Sequence, residues 1–175
     1  MEKKQPLFKC EANHIEFIGI SPTYSLNTIT ETLTKQGFTI LEDKGTLPVF
    51  KGIIDDFGSC ILSFFGRNDE VGTVLVKTER RLNEGEMMAI LNRVKEELPG
   101  EPGYNDHGYR NPAKPNEIDY YWDLVEGYIE IQWDGYNYTR GENPDYAQSD
   151  GLDRICIWIR KPLIKDEEYW RSEVD

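Results

Sequence analysis

The sequence predicts an α+β fold: two βαβββ-like units fused into a single domain over residues 1–175, with a mainly antiparallel sheet and both helices packed on one face. Three observations carry that expectation. Short runs rich in β-branched and aromatic residues are separated by turn residues, two segments have apolar residues at helical spacing with capping residues beside them, and the order strand, helix, strand, strand, strand occurs twice, over 14–65 and 71–161. Neither unit is large enough to bury its helix alone, so the two should share a core, with 1–13 and 162–175 peripheral.

The first strand is read over His14–Ile20, closed by Ser21-Pro22. A helix follows, with Ser25 as N-cap, Leu26, Ile29 and Leu33 on one face and Gly37 where a left-handed residue is wanted. Its threonines at 28, 30, 32 and 34 are poor helix formers, so packing has to hold it. Phe38–Glu42 and Leu47–Ile53 form a hairpin around Asp43–Thr46, and Pro48 marks its second arm as an edge. Ser59–Phe65 and Val71–Thr78 flank a turn at 66–70 and read as buried on both faces. In the second helix Asn83 caps, Glu86 completes a capping box, and Met87, Leu91, Val94 and Leu98 mark one face before Pro99-Gly100. Glu101–Glu117 is a long polar loop with three prolines, a kind of segment more often functional than accidental. Strands resume at Ile118–Val125, Tyr128–Asp134 and Asp153–Lys161, the last two separated by a polar loop from Gly135 to Leu152.

Charge narrows the partners. With 20 Lys and Arg against 32 Asp and Glu, the net charge is −12, so a nonspecific grip on nucleic-acid phosphates or an anionic membrane works against the protein's own field. No nucleic acid and no membrane are therefore expected as partners; the oligomeric state is left open. The three cysteines, at 10, 60 and 156, are odd in number and widely spaced, which suits neither a disulfide framework nor a CxxC site. Cys60 and Cys156 fall in strand-like runs, where a thiol behaves as a small apolar residue. The N-terminal stretch lacks the apolar run of a signal peptide, so the plain reading is cytoplasmic, or exported if a leader preceded Met1.

The halves differ in composition. All seven phenylalanines lie between Phe8 and Phe65, whereas all four tryptophans and nine of the ten tyrosines follow residue 103. Tyr and Trp carry a polar handle and favour half-wet surfaces, which places the contact surface in the second half. Residues 1–100 hold 12 basic and 15 acidic side chains, and residues 101–175 hold 8 and 17, so the acidity is concentrated there too.

A two-residue reversal at Glu126-Gly127 fixes a register by counting outward. One face then pairs Leu124 with Ile129, Trp122 with Ile131 and Tyr120 with Trp133, and belongs to the core. The other pairs Asp123 with Glu130, Tyr121 with Gln132 and Asp119 with Asp134. Like charges opposed across a ladder are destabilising, so compensation is needed. With Ile155, Ile157 and Ile159 on the core side of the last strand, Arg154, Cys156, Trp158 and Arg160 face outward, and the two arginines would neutralise the acids around Tyr121, Tyr128 and Trp158. A reversal one position away, or an inward Trp158, would remove this surface.

Three readings of the patch follow. The arginines bridge the acids on an ordinary solvated sheet, or the aromatics and charges dock a basic protein or peptide, or Asp123 and Glu130 divide acid and base roles as in sugar hydrolysis. Directly opposed residues lie closer than glycoside hydrolysis prefers. A noncatalytic binding module of this kind, an immunity-type partner by analogy, is the functional expectation, with a carboxylate-dependent hydrolase or a purely structural protein as alternatives. Its binding residues are Asp119, Tyr121, Asp123, Tyr128, Glu130, Gln132, Arg154, Trp158 and Arg160, and no catalytic residue, metal or cofactor is assigned.

Other chemistry is not signalled. Gly85, Gly100, Gly103 and Gly108 do not follow strands at phosphate-loop spacing, and no serine sits in a GxSxG elbow. With only His14 and His107, a histidine-based metal site needs acidic help, which Asp106 with Glu117 or Asp119 could give only at an unfamiliar spacing. Asp134–Tyr138 lacks the glycine and closing glutamate of a calcium loop. An ion-dependent fold would show as a melting midpoint that differs between calcium and chelator.

The stretch from His14 to Phe38 has a strand carrying Phe17, Gly19 and Ile20 and a helix closing on Lys35, Gly37 and Phe38. In these residues, a seventh of the chain, it resembles the opening of a group of uncharacterised small bacterial α+β proteins with a strand-FxGI-helix-KxGF pattern. The resemblance implies a fold and brings no activity or site; members of that group often carry an export signal.

Overall fold

The computed structural model describes residues 4–42, 47–67, 70–104, 119–133 and 155–162. In chain order these form β1 (Phe8–Glu11), β2 (His14–Phe17), α1 (Leu26–Lys35), β3 (Thr39–Glu42), β4 (Val49–Ile54), β5 (Gly58–Arg67), β6 (Glu70–Thr78), α2 (Glu84–Glu97), β7 (Gly103–Tyr104), β8 (Asp119–Leu124), β9 (Gly127–Trp133) and β10 (Ile155–Arg160). One eight-stranded sheet has the order β3-β4-β5-β6-β10-β9-β8-β7, and β1 and β2 pair as a separate hairpin. Among the described residues every pairing is antiparallel, so the predicted α+β class holds. No helix among the described residues is long and apolar enough to cross a membrane.

Local chemistry accounts for both helices. Ser25 Oγ accepts the Thr28 N–H at 3.2 Å at the start of α1. Its other end closes as a Schellman motif: Phe38 N–H donates to the Leu33 carbonyl at 2.9 Å and Gly37 N–H to Thr34 at 3.0 Å, with Gly37 at φ +87°. In α2 the capping box is complete, with Asn83 and Glu86 exchanging hydrogen bonds of 2.9 Å. Ile29 and Leu33 of α1 and Ile90, Leu91 and Val94 of α2 enter one apolar cluster. Its sheet side is made of Phe50, Leu62, Phe64, Val74, Val76, Ile129, Ile131, Ile157, Ile159 and Trp122. Both helices therefore cover the same face of the sheet, and the other face is the open one.

Four expectations give way to packing. The strand read over His14–Ile20 stops at Phe17, because Ile18 and Gly19 take φ +48° and +85°. Phe17 and Ile20 then exchange backbone hydrogen bonds of 2.7 and 3.0 Å across a tight reversal with positive φ at both central residues. Residues 4–13 are not peripheral: β1 pairs with β2, and Leu7 and Phe8 are buried, while 1–3 and 163–175 lie outside the described residues. Pro48 lies just before β4, an interior strand, and the edge is β3. Finally β5 and β6 are not buried on both faces, for Ile61 and Ser63 are half-buried and Phe65 is exposed on the open side. The hairpin turn at 43–46 lies outside the described residues.

The second predicted unit is present as β6-α2-β8-β9-β10, with β6 beside β10 and β7 added at the edge. The first is not closed in the same way. Both sides of β5 are taken by β4 and β6, so β2 has no place in the large sheet and pairs with β1 instead.

Candidate functional site

Strand alternation sends the predicted residues to the open face, and the ladder partners then decide what meets what. The reversal is at Val125-Glu126, one position before the predicted one, with Leu124 opposite Gly127. Gly127 serves as a strand residue rather than a turn residue: a Cβ there would stand 2.6 Å from the Arg160 carbonyl of β10. The glycine answers a close approach between strands. Moving a two-residue reversal by one position shifts every partner by two, so each residue keeps its face and exchanges its neighbour. The expectation that a reversal one position away would remove the surface is thereby corrected: the reversal is displaced by that one position, and the same side chains stay on the open face with different ladder partners.

The observed pairs are Asp123 with Tyr128, Tyr121 with Glu130 and Asp119 with Gln132. Neither predicted acid–acid opposition is made, since Asp123 faces a tyrosine and Asp119 a glutamine. Beyond β9, Trp158 stands opposite Glu130, Cys156 opposite Gln132 and Arg160 opposite Tyr128. On the far side of β10, Thr73, Leu75 and Lys77 of β6 pair with Arg160, Trp158 and Cys156. Arg154 and Asp134 lie outside the described residues, as do the remainder of the Glu101–Glu117 loop beyond Tyr104, the loop from Gly135 to Leu152, and His107.

At the centre is a hydrogen-bonded carboxyl pair. Asp119 and Glu130 sit diagonally across the β8–β9 ladder, both buried. The Glu130 carboxyl is pushed above the usual carboxylate range by burial first, then by the charge of Asp119 and its hydrogen bond. Gln132 and Arg160 pull the other way. Gln132 Nε2 donates to Glu130 Oε1 at 2.6 Å, and Gln132 Oε1 accepts the Trp158 indole N–H at 3.1 Å. This chain fixes the amide orientation and ties the indole to the carboxyl pair.

Aromatic rings surround it. Tyr121 and Tyr128 stack with centroids 6.0 Å apart and planes inclined by 14°. The Arg160 guanidinium lies 5.3 Å from the centre of the Tyr128 ring and 5.7 Å from that of Trp158, within cation–π range. Phe65 continues the line at 6.0 Å from Trp158. Gly103 of β7 makes room for Tyr121, whose ring would lie 2.2 Å from any Cβ placed there. Tyr121, Tyr128, Gln132, Trp158 and Arg160 are half-buried and Asp123 is exposed. Trp158 is therefore not inside the core.

The structure thus brings together Asp119, Tyr121, Asp123, Tyr128, Glu130, Gln132, Trp158 and Arg160, and adds two residues that sequence reasoning placed elsewhere. Phe65 and Leu75 belong to the same face; the alternation of Ile61, Ser63 and Phe65 carried the signal, which was hidden by reading that run as wholly buried. Cys60 and Cys156 are buried as predicted, and burial pushes the Cys60 thiol up to about 12. No protein-family model, curated protein or solved structure matches the chain.

Proposed function

We propose that the open face of the sheet is a noncatalytic docking surface for a basic protein or peptide. What carries this reading is the row of aromatic side chains from the exposed Phe65 through the half-buried Trp158 and Tyr128, bridged by Arg160, to Tyr121, interleaved with Asp119, Asp123 and Glu130 on a chain of net charge −12. Tyr and Trp give contact area at low entropic cost, and carboxylates beside π faces suit lysine and arginine side chains. Arg160, held by two of these rings, is an intramolecular example of the cation that such rings accept.

The test is titration of a labelled lysine- and arginine-rich peptide against the protein. Trp158→Ala and Tyr121→Ala, each checked for folding by circular dichroism, should weaken binding by about fivefold or more. Equal affinity in both variants would remove the surface from consideration.

A carboxylate-dependent hydrolase is the second reading, favoured by the raised Glu130 carboxyl. Its partner is Asp119, since Asp123 is exposed and faces Tyr128. A hydrogen-bonded pair is closer than the roughly 5 Å of retaining glycosidases, so the geometry suits proton sharing more than attack on a sugar. Turnover of chromogenic esters or glycosides that disappears in Glu130→Gln would reverse the preference.

A further inference from the structure

We propose that His14 Nε2, Glu16 Oε1 and the Tyr24 hydroxyl form a binding site for a divalent transition-metal ion of the zinc class. The site lies on the β1–β2 hairpin, on different strands from the open-face patch.

His14 and Glu16 stand two apart on β2, so both project to the same face of the strand. Tyr24, in the turn before α1, brings its hydroxyl to both of them. The hydroxyl is 3.1 Å from His14 Nε2, His14 Nε2 is 3.7 Å from Glu16 Oε1, and Tyr24 donates a hydrogen bond to Glu16 Oε1. A tetrahedral ion with bonds of about 2.1 Å places its ligand atoms about 3.4 Å apart. Two edges of the triangle fall on either side of that spacing. The third is the hydrogen bond, which is shorter than an ordinary O–H···O contact and has to open by roughly 1 Å to reach that spacing.

The donor set is one nitrogen, one carboxylate and one phenol oxygen, which suits zinc or copper and does not suit calcium, an ion of six or more oxygens. No trio of His, Cys, Asp and Glu converges among the described residues; the third donor here is a tyrosine. The His14 and Glu16 side chains keep 25% and 21% of their surface, which leaves water an approach to the fourth position. Glu11, opposite His14 in the ladder, adds negative charge. Lys9, opposite Glu16, is engaged by Glu11 at 2.5 Å.

Without metal, the hydrogen bond to Glu16, together with burial and the Glu16 charge, pushes the Tyr24 hydroxyl up to about 12. A bound cation neutralises that carboxylate and displaces the Tyr24 hydroxyl proton, which leaves to solvent.

The experiment is thermal melting of the full chain in a Cys10→Ser background, which removes the exposed thiol as a competing ligand, with Zn2+, with Mg2+ and with chelator. Saturating Zn2+ should raise the midpoint by roughly 5 °C or more and Mg2+ should not. His14→Gln and Glu16→Gln should each abolish the rise. The same background titrated by NMR supplies a measurement independent of those variants: the chain has two histidines, and Zn2+ should move the ring signals of His14 and leave those of His107 in place. Unmoved His14 signals, or a zinc response that persists in His14→Gln, would overturn the site.

Discussion

Glu130 stands diagonally across the β8–β9 ladder from Asp119 and is hydrogen-bonded to it, both carboxyl groups buried on the open face of the sheet. The register predicted from sequence had opposed Glu130 to Asp123 instead. The consequence for stability has a definite sign. Because the folded-state pKa of Glu130 lies above its unfolded value, the folded protein binds the proton more tightly. That contribution is complete below the ordinary glutamate range and is lost as pH rises through the raised folded-state value.

Glu130→Gln keeps an oxygen to accept from Gln132 and gains an amide to donate to Asp119. It should raise stability at neutral pH by on the order of 1 kcal/mol and flatten the dependence of the urea midpoint on pH above the ordinary carboxylate range. An unchanged slope with pH would show that Glu130 is not the titrating group.

Two glycines separate backbone freedom from space. Gly37 has φ +87° and open space where a Cβ would stand, with nothing within 4 Å, so Gly37→Ala should cost about 1 kcal/mol through conformation alone. Gly52 lies beneath the Phe38 ring, with a Cβ there 2.3 Å from the nearest ring atom. Gly52→Ala should cost about 2–3 kcal/mol, and the double variant with Phe38→Leu should recover part of that loss while Gly37→Ala with Phe38→Leu should not. Chemical denaturation of the single and double variants measures both.

Glu97 anchors the first strand. Its Oε2 accepts the Leu7 and Phe8 N–H groups at 2.6 and 2.9 Å, and its Oε1 accepts Arg93 Nε at 2.9 Å. Arg93 also reaches Asp56 at 2.8 Å and the Gln5 carbonyl at 2.7 Å. Glu97→Ala should destabilise by roughly 2 kcal/mol by leaving two N–H groups without acceptors. Hydrogen exchange at Leu7 and Phe8 should accelerate well before exchange in β5 and β6, and uniform acceleration would argue against a local clamp.

Thiol accessibility follows burial. Cys10 is exposed, whereas Cys60 and Cys156 are buried. Ellman titration of the native protein should find one fast thiol, with the other two appearing only on unfolding. A second fast thiol would place Cys156 on an accessible part of the open face.

What was legible in the sequence was the chemistry of the helix ends and the alternation of the strands, though not the local reversals at Ile18-Gly19 and Val125-Glu126. The Asn83–Glu86 box, the Ser25 cap and the Gly37 terminus are local hydrogen-bond chemistry, and strand alternation assigned Trp122, Ile129, Ile131 and Ile157 to the core and Tyr121, Glu130 and Trp158 to the open face. That assignment held even with the reversal misplaced, because a displaced two-residue reversal changes partners in steps of two. The partners themselves were set by tertiary structure. Gly127 is spent on an approach to the Arg160 carbonyl, a residue some thirty positions away, and β2 leaves the sheet because β5 already has neighbours on both sides. Periodicity along a chain says which way a side chain points. Only packing between distant segments decides which side chain it meets, and so it made Asp119, not Asp123, the partner of Glu130.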